Sequence, residues 1–113
     1  TTSSRAASEA GRAMLAAGGS AVDAAIAAQL VLGLVEPQSS GLGGGAFLLH
    51  WDKQTSSLVS YDGRETAPAK AKPDRFLANG KPMPFEEAVR SGLSIGTPGL
   101  VQLLKTVHEK HGK

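Results

Sequence analysis

Apolar positions along the chain change period several times, and each change predicts an element. Ala6, Ala10, Ala13, Met14 and Ala17 fall at helical spacing, with Glu9 and Arg12 elsewhere on the wheel, which predicts a helix over 6–17. Gly18-Gly19 ends it, and Gly18 stands where a left-handed C′ residue is favoured. Ser20 reads as the next N-cap. Asp23, three residues on, completes a capping box with the shorter acid and places a negative charge at the helix start. The second helix, over 21–34, is apolar almost all round, a pattern that predicts burial on most sides. The short Gly-Gly-Ser joint implies an αα-hairpin, and alanine on both partners predicts closely spaced axes.

Pro37 stops the second helix, and a Gly-rich loop runs to Gly45. Ala46 to Trp51 and Leu58 to Asp62 read as short antiparallel strands joined by the polar turn 52–57. Residues 63–73 read as irregular, broken by Pro68 and Pro73. A helical turn is expected at 74–78, a turn at Asn79-Gly80 and a short helix over 85–90. A last helix is expected from about Pro98, with Leu100, Val101, Leu103, Leu104 and Val107 as its apolar residues. The pattern is that of an α+β chain.

Composition sharpens this. The 113 residues include 17 Ala and 14 Gly but only five aromatics, Phe47, Trp51, Tyr61, Phe76 and Phe85. Small side chains bury little area each, and aromatics usually dominate core energetics. Residues 1–113 are therefore expected to form a partial domain of something larger. A net charge of +2 with scattered basic residues is no nucleic-acid footprint. The absence of Cys removes disulfides, thiolate metal sites and a thiol nucleophile. The apolar run Ala24 to Val35 is well short of the roughly 20 residues that a membrane span needs. The start, Thr1 to Arg5, lacks the apolar core of a signal peptide, so an exported parent would be represented by a mature or trimmed form.

Four features could carry chemistry. Gly41-Leu42-Gly43-Gly44-Gly45-Ala46 fits G-x-G-x-x-A, but a helix precedes it and a strand follows, the inverse of the dinucleotide context. Its glycines are better explained by positive φ and close packing where the chain enters a sheet. An N-terminal Thr can be a nucleophile, yet Thr1 is followed by polar residues that read as a disordered start. His108 and His111 share a helix face but lack a third ligand, so solvated histidines near a helix C-terminus are expected and no metal site is assigned. Ser39 and Ser40 lie in a loop, where they could satisfy backbone groups. The fourth feature is Arg64 in Tyr61-Asp62-Gly63-Arg64-Glu65-Thr66-Ala67-Pro68. At a strand exit its planar fork can reach over a site and match a carboxylate, or it can pair structurally with Asp62 or Glu65.

Four segments in order give the chain a family likeness. Gly18-Gly19-Ser20-Ala21-Val22-Asp23-Ala24-Ala25 resembles the "GGNAVDAA" segment of γ-glutamyltranspeptidases, with Ser20 in place of Asn. Val35 to Phe47 resembles their "VEPxSSGxGGGxF" stretch, Asp62 to Pro68 their "D-x-R-E-x-A-P", and Gly96-Thr97-Pro98-Gly99 their "G-V-P-G".

The resemblance implies an N-terminal-nucleophile hydrolase fold, an αββα sandwich, of which this chain is the N-terminal portion of the large subunit. It implies transfer or hydrolysis of the γ-glutamyl group of glutathione and related amides by an enzyme that cleaves itself into two subunits. The nucleophilic Thr opens the small subunit, so no catalytic residue is expected in this chain. Thr1-Thr2-Ser3 lacks the His of the family's nucleophile segment. The family's carboxylate-gripping Arg carries over to Arg64, which becomes the expected substrate-binding residue. Gly43 to Gly45 are distinct from the oxyanion glycines, which belong to the small subunit. No cofactor is implied. The implied partners are the rest of the large subunit, the small catalytic subunit and a small γ-glutamyl substrate, and the implied location is periplasmic or secreted. A related amidase or acylase on the same fold, or a non-catalytic structural fragment, is the alternative.

Overall fold

The computed structural model describes residues 1–113. Two helices come first, α1 (Arg5–Ala16) and α2 (Ala21–Val35). A hairpin of β1 (Ala46–Asp52) and β2 (Ser57–Gly63) follows, then a minimal hairpin of β3 (Leu77–Ala78) and β4 (Lys81–Pro82). A short helix α3 (Phe85–Arg90), a 3-10 turn at Gly92–Ser94 and a long helix α4 (Leu100–His111) complete the chain. The α+β class and the antiparallel pairing of the two main strands are as expected from sequence.

The α1–α2 joint forms as its residues predict. Gly18 has φ +88°. The Gly19 N–H donates to Met14 O at 2.9 Å and the Gly18 N–H to Leu15 O at 3.0 Å, which together make a Schellman cap. The Ser20 N–H donates to Asp23 Oδ2 at 2.7 Å, and the Asp23 N–H returns the bond to Ser20 Oγ at 3.2 Å. This reciprocal capping box starts α2. The α1 face that packs differs from the Ala6-Ala10-Ala13-Met14-Ala17 stripe: the buried positions are Ala7 and Gly11. A Cβ on Gly11 would meet Ala24 O at 3.0 Å, so the smallest residue, not the most apolar row, sets the contact.

The core is small. Val22, Leu103 and Val107 form its centre, with Ile26, Ala46, Leu48 and Tyr61 packed around them. α2 and α4 thus cover the inner face of the β1–β2 hairpin. Pairing sets Phe47 opposite Asp62, Leu49 opposite Ser60 and Trp51 opposite Leu58 on the outer face. Phe47, Leu49 and Trp51 are 58–68% exposed there.

Three expectations are corrected. α2 is not buried on most sides: Val22 alone is fully buried, and Leu34 is 79% exposed. α1 and α4 pack on α2, but Leu30, Leu34 and Val35 towards its C-terminal end stay exposed. The helical turn expected at 74–78 is a turn only as far as the Leu77 N–H bond to Asp74 O. Leu77–Ala78 then pairs with Lys81–Pro82 around Asn79 and Gly80, both at positive φ. α4 starts at Leu100 rather than Pro98, because Thr97 pairs with Thr66 in an antiparallel bridge and holds the chain extended. At the start of the chain the Thr2 N–H donates to Ser8 Oγ at 3.0 Å and its hydroxyl to Ser4 O at 2.6 Å, contacts not expected from the sequence.

Candidate functional site

Three of the four sequence segments converge where β2 ends. The Gly44 carbonyl accepts from the N–H groups of Gly99 and Leu100, both at 3.1 Å, so the Gly-rich loop anchors the start of α4. Thr66 and Thr97 exchange both backbone bonds, at 3.3 and 2.8 Å. Between these ties run residues 63–66. Their path requires glycine neighbours: a Cβ on Gly45 would lie 2.5 Å from Gly63 O and 2.9 Å from Arg64 Cα, and one on Gly99 would collide with Gly63 O. The close-packing explanation of the Gly-rich loop therefore holds at Gly45. The positive-φ explanation does not, because no glycine from 41 to 45 has positive φ.

Arg64 leaves this knot into solvent. Its own N–H donates to Asp62 Oδ1 at 2.8 Å, a local turn that fixes the backbone. Its Nη1 donates to Glu65 Oε2 at 2.9 Å, with the Arg64 side chain 64% exposed and that of Glu65 29%. Of the two carboxylates expected as guanidinium partners, only Glu65 pairs with it, while Asp62 takes the backbone N–H instead. The one bond to Glu65 does not exhaust the guanidinium, which has five N–H donors. Arg64 stands between two clefts. One, of about 570 Å³, is lined by Arg64, Glu65, Thr66, Lys72, Arg75, Phe76 and Ile95 among others. The smaller, of about 260 Å³, runs along Tyr61–Arg64 and the first turns of α4.

Lys72 and Arg75 at this cleft were not singled out in the sequence, although cations 8 and 11 positions after Arg64 in a proline-broken loop are a usable signal. The histidines are not simply solvated. His50 and His111 stack with ring centroids 3.8 Å apart and planes 13° from parallel. The Tyr61 hydroxyl lies 2.7 Å from His111 Nε2, and His108 Nε2 is 3.5 Å from Asp23 Oδ1. No sequence spacing reveals a contact between residues 61 positions apart, such as His50 and His111. The Asp23 carboxyl is held below its ordinary value, first by the Ser20 N–H, with the Ser20 hydroxyl, the Lys113 N–H and His108 adding to it against desolvation. Ser39 and Ser40 donate their N–H groups to Glu36 O, both at 3.0 Å, in a turn beyond α2. Thr1 lies by the α1–α2 pair, beside Ala7, Gly11 and Leu32.

The chain is similar in sequence and in fold to known proteins. The family profile described as Gamma-glutamyltranspeptidase matches residues 7–113. A glutathione hydrolase proenzyme of Bacillus subtilis is 46% identical over 107 residues, covering 94% of this chain and 18% of the relative. Glutathione hydrolase 2 of Arabidopsis thaliana is 44% identical over 100 residues, covering 88% and 16%. The crystal structure of Helicobacter pylori γ-glutamyltranspeptidase superposes with a TM-score of 0.93 at 33% identity, covering all of this chain and 32% of that one. The chain thus spans under a fifth of the length of these curated relatives.

Proposed function

This chain belongs to the γ-glutamyltranspeptidase family, and from that premise we propose that it is the N-terminal portion of the large subunit of an enzyme that transfers or hydrolyses γ-glutamyl groups. Glutathione and related γ-glutamyl amides are the substrates. A Thr hydroxyl of a small catalytic subunit attacks the γ-carbonyl, the amine leaves, and water or an amino acceptor releases the acyl group. This chain contributes recognition. Arg64 grips the substrate α-carboxylate through the donors that Glu65 leaves free, while Glu65 orients the fork. Arg64 stays protonated and takes no part in proton transfer.

The observation that carries this reading is the convergence of the Gly-rich loop, residues 63–66 and Gly96–Gly99 on the backbone that projects Arg64 over an open cleft. Shape supports the partial-domain part of it. The radius of gyration is 17.7 Å, against about 13 Å for a self-contained domain of some 100 residues. The outer hairpin face, with Phe47, Leu49 and Trp51, is an apolar sheet surface. In an αββα sandwich a second sheet would cover it, and α2 and α4 would belong to one of the two helix layers. The implied location is periplasmic or secreted, and no helix here is long and apolar enough to cross a membrane.

Intact-mass analysis of the native protein under denaturing conditions tests the reading, together with an assay of γ-glutamyl amide turnover. A second chain beginning with Thr, in material that turns over the amide, is expected. A single species of about 11.6 kDa with no turnover would overturn it.

A further inference from the structure

We propose that Arg75 is a specificity-determining residue that takes a second carboxylate of the substrate, carried on the leaving side of the γ-glutamyl amide, while Arg64 takes the α-carboxylate. The inference rests on the γ-glutamyl reading above and deepens it. Arg64, Lys72 and Arg75 line one cleft of about 570 Å³, a size suited to a small molecule. Glu65 supplies the one carboxylate in that lining, and Arg64 already engages it at 2.9 Å. Within residues 1–113 no carboxylate lies within ion-pair distance of Arg75 or Lys72, although Asp74 is adjacent in sequence. Arg75 is half-buried. Its Nη2 makes one long bond of 3.5 Å to Ile95 O, and its Nε is buried with no hydrogen-bond partner. A partly desolvated guanidinium without a counter-charge is costly, and a carboxylate meets that need with two parallel bonds.

The backbone under Arg75 is held. Its N–H donates to Lys72 O at 3.1 Å, the Leu77 N–H to Asp74 O at 2.9 Å, and the β3–β4 hairpin follows at once. Arg75 is thus positioned on a hydrogen-bonded turn in the same lining as Arg64. The cleft therefore fits a ligand with two separated anionic groups. A neutral leaving group would meet one cation too many.

The test uses the assembled enzyme and two donors that differ in one group, γ-glutamylcysteinylglycine and its C-terminal amide. Wild type is expected to favour the acid about tenfold in kcat/KM, chiefly through KM. In Arg75→Gln that ratio falls to about one. Arg75→Lys, which keeps the charge but loses the fork, gives an intermediate ratio and covers the case in which Arg75→Gln does not fold. Turnover of both donors without preference by wild type overturns the Arg75 assignment alone. So does a full preference surviving in Arg75→Gln, or a loss shared equally by both donors. Turnover of neither donor by wild type overturns the γ-glutamyl reading, and this assignment with it.

Discussion

A Cβ on Gly45 would stand 2.5 Å from the carbonyl oxygen of Gly63, and the nearest competing contact, Glu65 Oε2, would be at 2.8 Å. Backbone and an orienting carboxylate therefore both demand glycine at this position. Gly45→Ala should displace residues 63–65 and with them Arg64, costing about 1–3 kcal/mol of stability as an overpacked site does. Gly43→Ala is the control, since nothing lies within 4 Å of its Cβ position. Thermal unfolding of the assembled enzyme should show a lowered midpoint for the first variant and little change for the second. Equal behaviour of the two would mean that the Gly-rich loop does not brace the site.

Arg64→Ala should cost about 2 kcal/mol of transition-state binding, roughly 30-fold in kcat/KM, for donors that carry the α-carboxylate. Donors lacking that group should lose far less. Arg64→Lys should recover part of the loss, because charge is kept and the fork is not. Steady-state kinetics with both donor types decides the matter, and the same loss for both would remove Arg64 from recognition.

The site was legible in sequence where chemistry is local. Ser20 and Asp23 announce a capping box within four residues, and Gly18 announces its left-handed cap. Arg64 announces itself through its place at a strand exit and the motif around it. What sequence did not show depends on neighbours distant along the chain. The alanine stripe of α1 misplaced the packed face, because Gly11 is defined by its approach to Ala24 rather than by hydropathy. Pro98 reads as a helix start, but the Thr97–Thr66 bridge holds the chain extended up to it. The all-apolar α2 predicted burial that residues 1–113 do not supply, a gap consistent with relatives more than five times as long.

The capping box also predicts a pH response. Folding holds the Asp23 carboxyl below 3.8, led by the bond from the Ser20 N–H. A carboxyl depressed by folding contributes stability that is present above the unfolded value and is lost as pH falls through the folded one. Wild type should therefore lose stability below about pH 3.8 more steeply than Asp23→Asn, which has no titrating group there. Ser20→Ala should cost about 1 kcal/mol at neutral pH. Acid titration followed by circular dichroism separates the two effects, and parallel acid curves for wild type and Asp23→Asn would rule the linkage out.

The last turn of α4 is tied to the hairpin by His111, which stacks on His50 at 3.8 Å and meets the Tyr61 hydroxyl at 2.7 Å. A stacked ring pair is worth about 0.5–1.5 kcal/mol and a hydrogen bond about 1 kcal/mol, so His111→Ala should cost about 1.5–2.5 kcal/mol. Lys110 lies 5.2 Å from the centre of the Tyr61 ring, but at an exposed position, so Lys110→Ala should cost under about 1 kcal/mol. The two substitutions fall at adjacent positions in the last turn of α4 but remove different contacts, so the comparison weighs the stack and the Tyr61 bond against the cation–π contact. Amide hydrogen exchange over residues 100–111 reads the result directly. Faster exchange confined to the end of α4 in His111→Ala, and not in Lys110→Ala, is the expected outcome. Equal exchange in both would mean that the helix is held by Leu103 and Val107 alone, and that the histidine pair contributes nothing to docking it on the sheet.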